Sequence, residues 1–243
     1  MNYRNYFTEI EELFVRRRGS HMLVSPLDWS LIAAWRDAGV PLHIVLRGID
    51  IAMDSWHSGK RRPTEKLSTL FYCHDAVMAE HEHYLESRVG ESQDGAGAAT
   101  TDDGRSPAAA APDKKALVGF LDERISEIKR LREKQFTRQE TRDSVERVES
   151  RLAEIRQDVD GGQEPETDLL ERDLGILDEL LTTALMEVAP AERREEWEAE
   201  AKAELKVYRK RLPKETYRKI LDNYLKSRAR LLFDVGELSL FNL

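Results

Sequence analysis

From Gly90 to Pro112 the chain reads GESQDGAGAATTDDGRSPAAAAP, without one large apolar side chain. Such a stretch cannot bury enough surface to offset the entropy lost on ordering it. No hydrophobic core can run through it, so whatever folds on either side must build a core of its own. The division predicted is a compact helical N-terminal domain over 1–89, a flexible Gly/Ala/Asp-rich linker over 90–113, and a C-terminal helical hairpin or bundle with an apolar tail over 114–243.

The N-terminal part is most explicit from Leu23 to Trp56. Ser25 is an N-cap residue, Pro26 suits the first helical position because its absent N–H would be unpaired there, and Asp28 faces the positive end of the helix dipole. Leu27, Leu31 and Trp35, with Ile32 beside them, form one apolar stripe, and Gly39 supplies the left-handed position that ends a helix. After Pro41, a second stripe runs through Leu42, Val45, Leu46, Ile49, Met53 and Trp56. The turn, Ala38 to Val40, is short enough to make the two helices pack at once. Tyr3, Phe7, Ile10, Phe14 and Val15 predict a helix before this pair, and a fourth is predicted from about Thr64 to Arg88.

In the C-terminal part, an apolar series from Leu117 to Leu131 passes through the polar REKQFTRQETRDS and resumes with Val145, Val148, Leu152, Ile155 and Val159. DGGQEPET turns the chain, and Leu170, Leu174, Leu177, Leu181 and Leu185 give a helix returning antiparallel along the first. Segments around Trp197 to Leu212 and Tyr217 to Leu232 complete a four-helix set. FDVGELSLFNL, with Leu238, Leu240, Phe241 and Leu243, is too apolar for water and is expected to dock on its own bundle or on a partner. The fold class is therefore all-α: two small helical bundles joined by a disordered linker, the second built on a long antiparallel hairpin.

Candidate chemistry is sparse. Tyr72-Cys73-His74-Asp75 followed by Glu80-His81-Glu82-His83 holds one Glu-x-x-His unit, but a dinuclear carboxylate site needs two. His81 and His83 are two apart and diverge on a helix, so neither a metal site nor a cofactor is expected. Cys73 is expected to be a buried apolar group, and as the single cysteine it cannot form an internal disulfide. No phosphate-cradling glycine loop, nucleophile elbow or Cys-x-x-Cys pair occurs, and the chain is read as non-enzymatic.

A formal net charge of -8 excludes general coating of nucleic acid and leaves room only for a local basic patch. Two clusters qualify: Arg16, Arg17 and Arg18 at the end of the first helix, and Lys60, Arg61 and Arg62 after the third. Both flank the same helix pair. No apolar run is long enough to cross a bilayer and the first residues lack signal-peptide order, so a cytoplasmic protein without membrane contact is expected. Gly19-Ser20-His21-Met22 spells the remnant of a cleaved affinity tag, but natural-looking sequence precedes it and it is read as native.

SPLDWSLIAAWRDAGVPLHIVLRGID and LSTLFYCHDAV, within Val24 to Leu85, resemble a compact helical domain of DnaD-like replication-initiation proteins. The resemblance implies DNA binding and contacts with initiation partners. The function expected is a helical adaptor that docks on DNA or a DNA-processing complex through its N-terminal domain, with protein partners or self-association through its C-terminal helices. The alternative is a protein-interaction scaffold with no nucleic-acid role.

Overall fold

The computed structural model of the chain describes residues 6–19, 24–59, 67–91, 113–134, 136–162 and 165–243. Among the described residues all regular structure is helical, and the chain divides into two compact units, Met1–Ala108 and Ala109–Leu243.

The first unit holds α1 (Tyr6–Arg18), α2 (Pro26–Asp37), α3 (Leu42–Ser58) and α4 (His74–Glu91), the last entered through a 3-10 turn, Leu70–Cys73. The start of α2 is a capping box. The Ser25 hydroxyl accepts from the Asp28 N–H at 3.1 Å while the Asp28 carboxylate accepts from the Ser25 N–H at 3.3 Å. Gly39 takes φ 75°, and the Val40 N–H returns to the Trp35 carbonyl at 3.0 Å, which closes α2 and sets the corner. The Tyr6 hydroxyl donates to the Val40 carbonyl at 3.0 Å and fastens α1 to that corner.

Packing by α1 and by α4 with its 3-10 turn makes α3 the central helix. Its buried residues are accordingly Ile44, Val45, Gly48, Ile49, Ala52 and Met53, a broader band than the single stripe expected, while Leu42, Leu46 and Trp56 stay half-buried. At Gly48 the two helices touch backbone to backbone: a Cβ there would lie 2.5 Å from the Val77 Cα.

The fourth helix starts ten residues later than its predicted Thr64. Leu67 to Thr69 are not helical, and the Thr69 hydroxyl accepts from the Phe71 N–H at 3.3 Å to open the 3-10 turn. The cause is tertiary. Asp28 Oδ1 accepts both the Leu70 N–H at 2.8 Å and the Thr69 hydroxyl at 2.6 Å, so a carboxylate from α2 dictates where this segment begins to coil.

In the second unit lie α5 (Lys114–Glu133), α6 (Gln139–Asp160), α7 (Thr167–Val188), α8 (Ala191–Leu205) and α9 (Lys214–Phe233). The arm read as continuing from Leu117 through REKQFTRQE to Val159 is two helices with a reversal between them. Arg132 pairs with Glu149 at 2.9 Å, Arg156 with Asp122 at 2.9 Å, and Lys114 Nζ reaches the Asp160 carbonyl at 3.0 Å, the register of an antiparallel pair. Phe136 explains the turn. It is buried, its ring centroid lies 5.8 Å from that of Phe233, and Arg142 Nη1 holds its carbonyl at 2.6 Å.

α6 and α7 also run antiparallel, cross-linked by Arg151 to Asp173 at 3.1 Å and Arg138 to Glu187 at 3.6 Å, with Val145, Val148, Leu152, Leu170, Leu174 and Leu181 buried. α9 packs on both α7 and α8. Asp234 ends α9 at φ 58°, and the residues after it fold back so that Val235, Leu238, Leu240 and Phe241 are buried. The apolar tail therefore docks within its own chain.

Candidate functional site

The first basic cluster sits on the last turn of α1, where cations offset the carbonyl end of the helix dipole. Arg17 is committed inward. Its Nε lies 3.1 Å from the Asp50 carboxylate, its Nη2 donates to the Asp50 carbonyl at 3.1 Å, and it pairs with Asp54 as well. Two carboxylates thus offset its charge and bolt the end of α1 to α3. The Arg18 guanidinium lies 5.0 Å from the Phe14 ring centroid, and Arg16 is exposed. Lys60, Arg61 and Arg62 lie outside the described residues. In sequence Lys60 follows the last residue of α3, Ser58, by two, and Asp54 is one turn before that end.

The acid-base cluster is dispersed by the fold. Cys73 is fully buried, and burial with the nearby Asp28 carboxylate pushes its thiol up to about 12, so it stays protonated at neutral pH. His74, 3% exposed, accepts the Trp35 indole N–H on Nδ1 at 3.0 Å, and burial holds its imidazole below the ordinary range. Glu80 pairs with Arg47 across the α3–α4 seam. His83, the other end of the Glu-x-x-His unit, is exposed beside Glu86, so the unit's two ends are engaged separately, and His81 between them is buried. Among the described residues no group of three or more His, Cys, Asp or Glu side chains is placed to hold a metal ion.

Two features escaped sequence reasoning. On α7, ion pairs tie one flank to α6 through Arg151 and Asp173 and the other to α9 through Lys226 and Glu179. Between those flanks Leu169 and Ile176 stand 56% and 59% exposed, seven residues apart and hence on one face. The signal was available as that heptad spacing, but the stronger leucine stripe on the buried face masked it. The other is the set of carboxylates, Glu127, Asp178 and Glu171, that receives the tail. Nothing in local sequence marks them.

No described helix is long and apolar enough to cross a membrane. A family model described only as "Uncharacterised protein" matches residues 5–93, the stretch that contains α1 to α4. No curated protein and no solved structure matches the chain.

Proposed function

We propose that this chain is a non-enzymatic helical adaptor whose C-terminal helices hold a protein partner. The observation that carries this reading is the outer face of α7. Leu169 and Ile176 present apolar surface two turns apart, rimmed on both sides by ion pairs, which is the pattern by which a helix is gripped in a partner's groove. Cys73 and His74, the residues most able to carry chemistry, are taken up in packing and in a buried hydrogen bond. In this reading the units are two bundles separated by the Gly/Ala/Asp-rich residues 90–113.

The test uses a photo-crosslinking residue at position 172, on the same face, in cells. Crosslinked species that vanish in Leu169→Glu/Ile176→Glu, with helicity retained by circular dichroism, are expected. Identical species from parent and variant would remove the α7 face from the function.

A second reading, docking of the N-terminal unit on DNA in the manner implied by the DnaD-like resemblance, is favoured by one contact. Arg17 bound to Asp54 sets the end of α1 beside the last turns of α3, the helix that Lys60, Arg61 and Arg62 follow in sequence. Because Arg17 is already neutralised, Arg16, Lys60, Arg61 and Arg62 would carry the phosphate contacts. Each contact contributes about -0.9 to the slope of log affinity against log salt. Duplex binding that keeps its slope when these four become Ala, or no binding at low salt, would end this reading.

A further inference from the structure

Residues 235–243 lie between α5 and α7 and are held there in an unusual way. Three alternate main-chain N–H groups each meet a carboxylate. Gly236 donates to Glu127 Oε2 at 2.9 Å, Leu238 to Asp178 Oδ1 at 3.0 Å, and Leu240 to Glu171 Oε2 at 2.6 Å. Glu127 belongs to α5, and Asp178 and Glu171 belong to α7. Residues 235–238 carry no regular structure and Leu240–Asn242 close in a 3-10 turn capped by Ser239, so the segment meets its row of acceptors as a non-helical stretch that ends in a turn. Asp178 is itself fixed by Arg230, whose Nε lies 3.3 Å away, and the Ser239 hydroxyl donates to Glu171 Oε1 at 2.7 Å.

The recognition has two parts. Main-chain donors to carboxylates give affinity without reading sequence, and Leu238, Leu240 and Phe241, all buried, supply the side-chain selectivity. At the first position a Cβ on Gly236 would meet the Arg124 guanidinium, the tip of a side chain that would have to shift. One residue, Asp234, directs the segment there, in a left-handed conformation that non-glycine residues seldom adopt. A receptor and its ligand are thus built into one chain and joined through the left-handed residue that ends α9.

We infer that the groove between α5 and α7 is a docking site for a short apolar segment that ends in a 3-10 turn, and that residues 235–243 of a second copy of this chain can occupy it in exchange for the chain's own. The second copy is the occupant because its tail carries the same alternate donors and the same Leu238, Leu240 and Phe241 that the groove already accepts. Exchange of an identical element conserves every contact except the hinge. The site lies apart from the outer face of α7, and the inference holds whichever partner that face takes.

Asp234→Pro in the full chain tests it, because proline cannot take φ 58° and the tail can no longer turn back on its own groove. Light scattering should show a concentration-dependent dimer at least tenfold tighter than that of the parent. Asp234→Gly, which adopts positive φ freely, should behave as the parent. Adding Leu238→Asp/Phe241→Asp to Asp234→Pro should return it to monomer, and a labelled VGELSLFNL peptide should bind Asp234→Pro saturably and about tenfold more weakly when Glu171 is Ala. A monomeric Asp234→Pro protein overturns the inference. So does a dimer that persists after Leu238→Asp/Phe241→Asp, since it would use another surface, and so do aggregates of Asp234→Pro that bind no peptide.

Discussion

Gly48 shows how one absent side chain can set the distance between two helices. The Cβ of an alanine there would press on Val77 Cα and N, backbone atoms that cannot step aside as a side-chain tip can. Gly48→Ala should therefore lower stability by about 1–3 kcal/mol despite its better helix propensity, read from the urea midpoint. A neutral or stabilising result would mean α3 and α4 separate at little cost. His74 gives a second residue-scale prediction. Its Nδ1 must be unprotonated to accept from Trp35, and burial holds its pKa below the unfolded value of about 6.5. In the window below that value the unfolded chain binds a proton that the folded chain refuses, so stability is intact above about pH 6.5 and falls as the pH drops. His43 and His81 are shifted the same way. In His74→Phe the acid-side slope of unfolding free energy against pH should shrink without vanishing; an unchanged slope would show that His74 does not contribute. Legibility at this scale stops at local partners. Ser25, Pro26, Asp28 and Gly39 announce α2 and its corner because each acts on backbone within a few residues. That Asp28 also accepts from Thr69 and Leu70, more than 40 residues on, follows from packing alone.

Helices were legible where periodicity and a breaker coincide, as at Gly39 and at DGGQEPET. They were misread where the breaker is tertiary. REKQFTRQE has no Gly or Pro, yet the chain reverses there because Phe136 turns inward against Phe233 and its carbonyl is taken by Arg142. The late start of α4 has the same origin in Asp28. The basic candidates divide similarly: their charge is obvious in sequence, whereas the commitment of Arg17 to Asp50 and Asp54 depends on how α1 crosses α3. Phe136→Ala should cost about 3–5 kcal/mol, the usual range for a buried phenylalanine, and should appear in the unfolding of the second unit followed by Trp197, itself buried in α8. A cost under about 1 kcal/mol would place the cause of the reversal in α5 and α6 themselves, with Phe136 filling space.

The composition of residues 90–113 and the division of the chain into Met1–Ala108 and Ala109–Leu243 bear on how it unfolds. Tryptophans make the question measurable, because Trp29, Trp35 and Trp56 belong to the first unit and Trp197 alone to the second. In a Trp197→Phe background, fluorescence reports only the first unit while far-ultraviolet circular dichroism reports both. If each unit has a core of its own, adding Phe136→Ala to that background leaves the fluorescence midpoint where it was and gives circular dichroism an earlier step. Gly48→Ala in the same background does the reverse, moving the fluorescence midpoint and leaving the second unit's circular dichroism step in place. Coincident shifts of both probes with either substitution would mean that the two units unfold as one, and the separate cores expected from GESQDGAGAATTDDGRSPAAAAP would have to be given up.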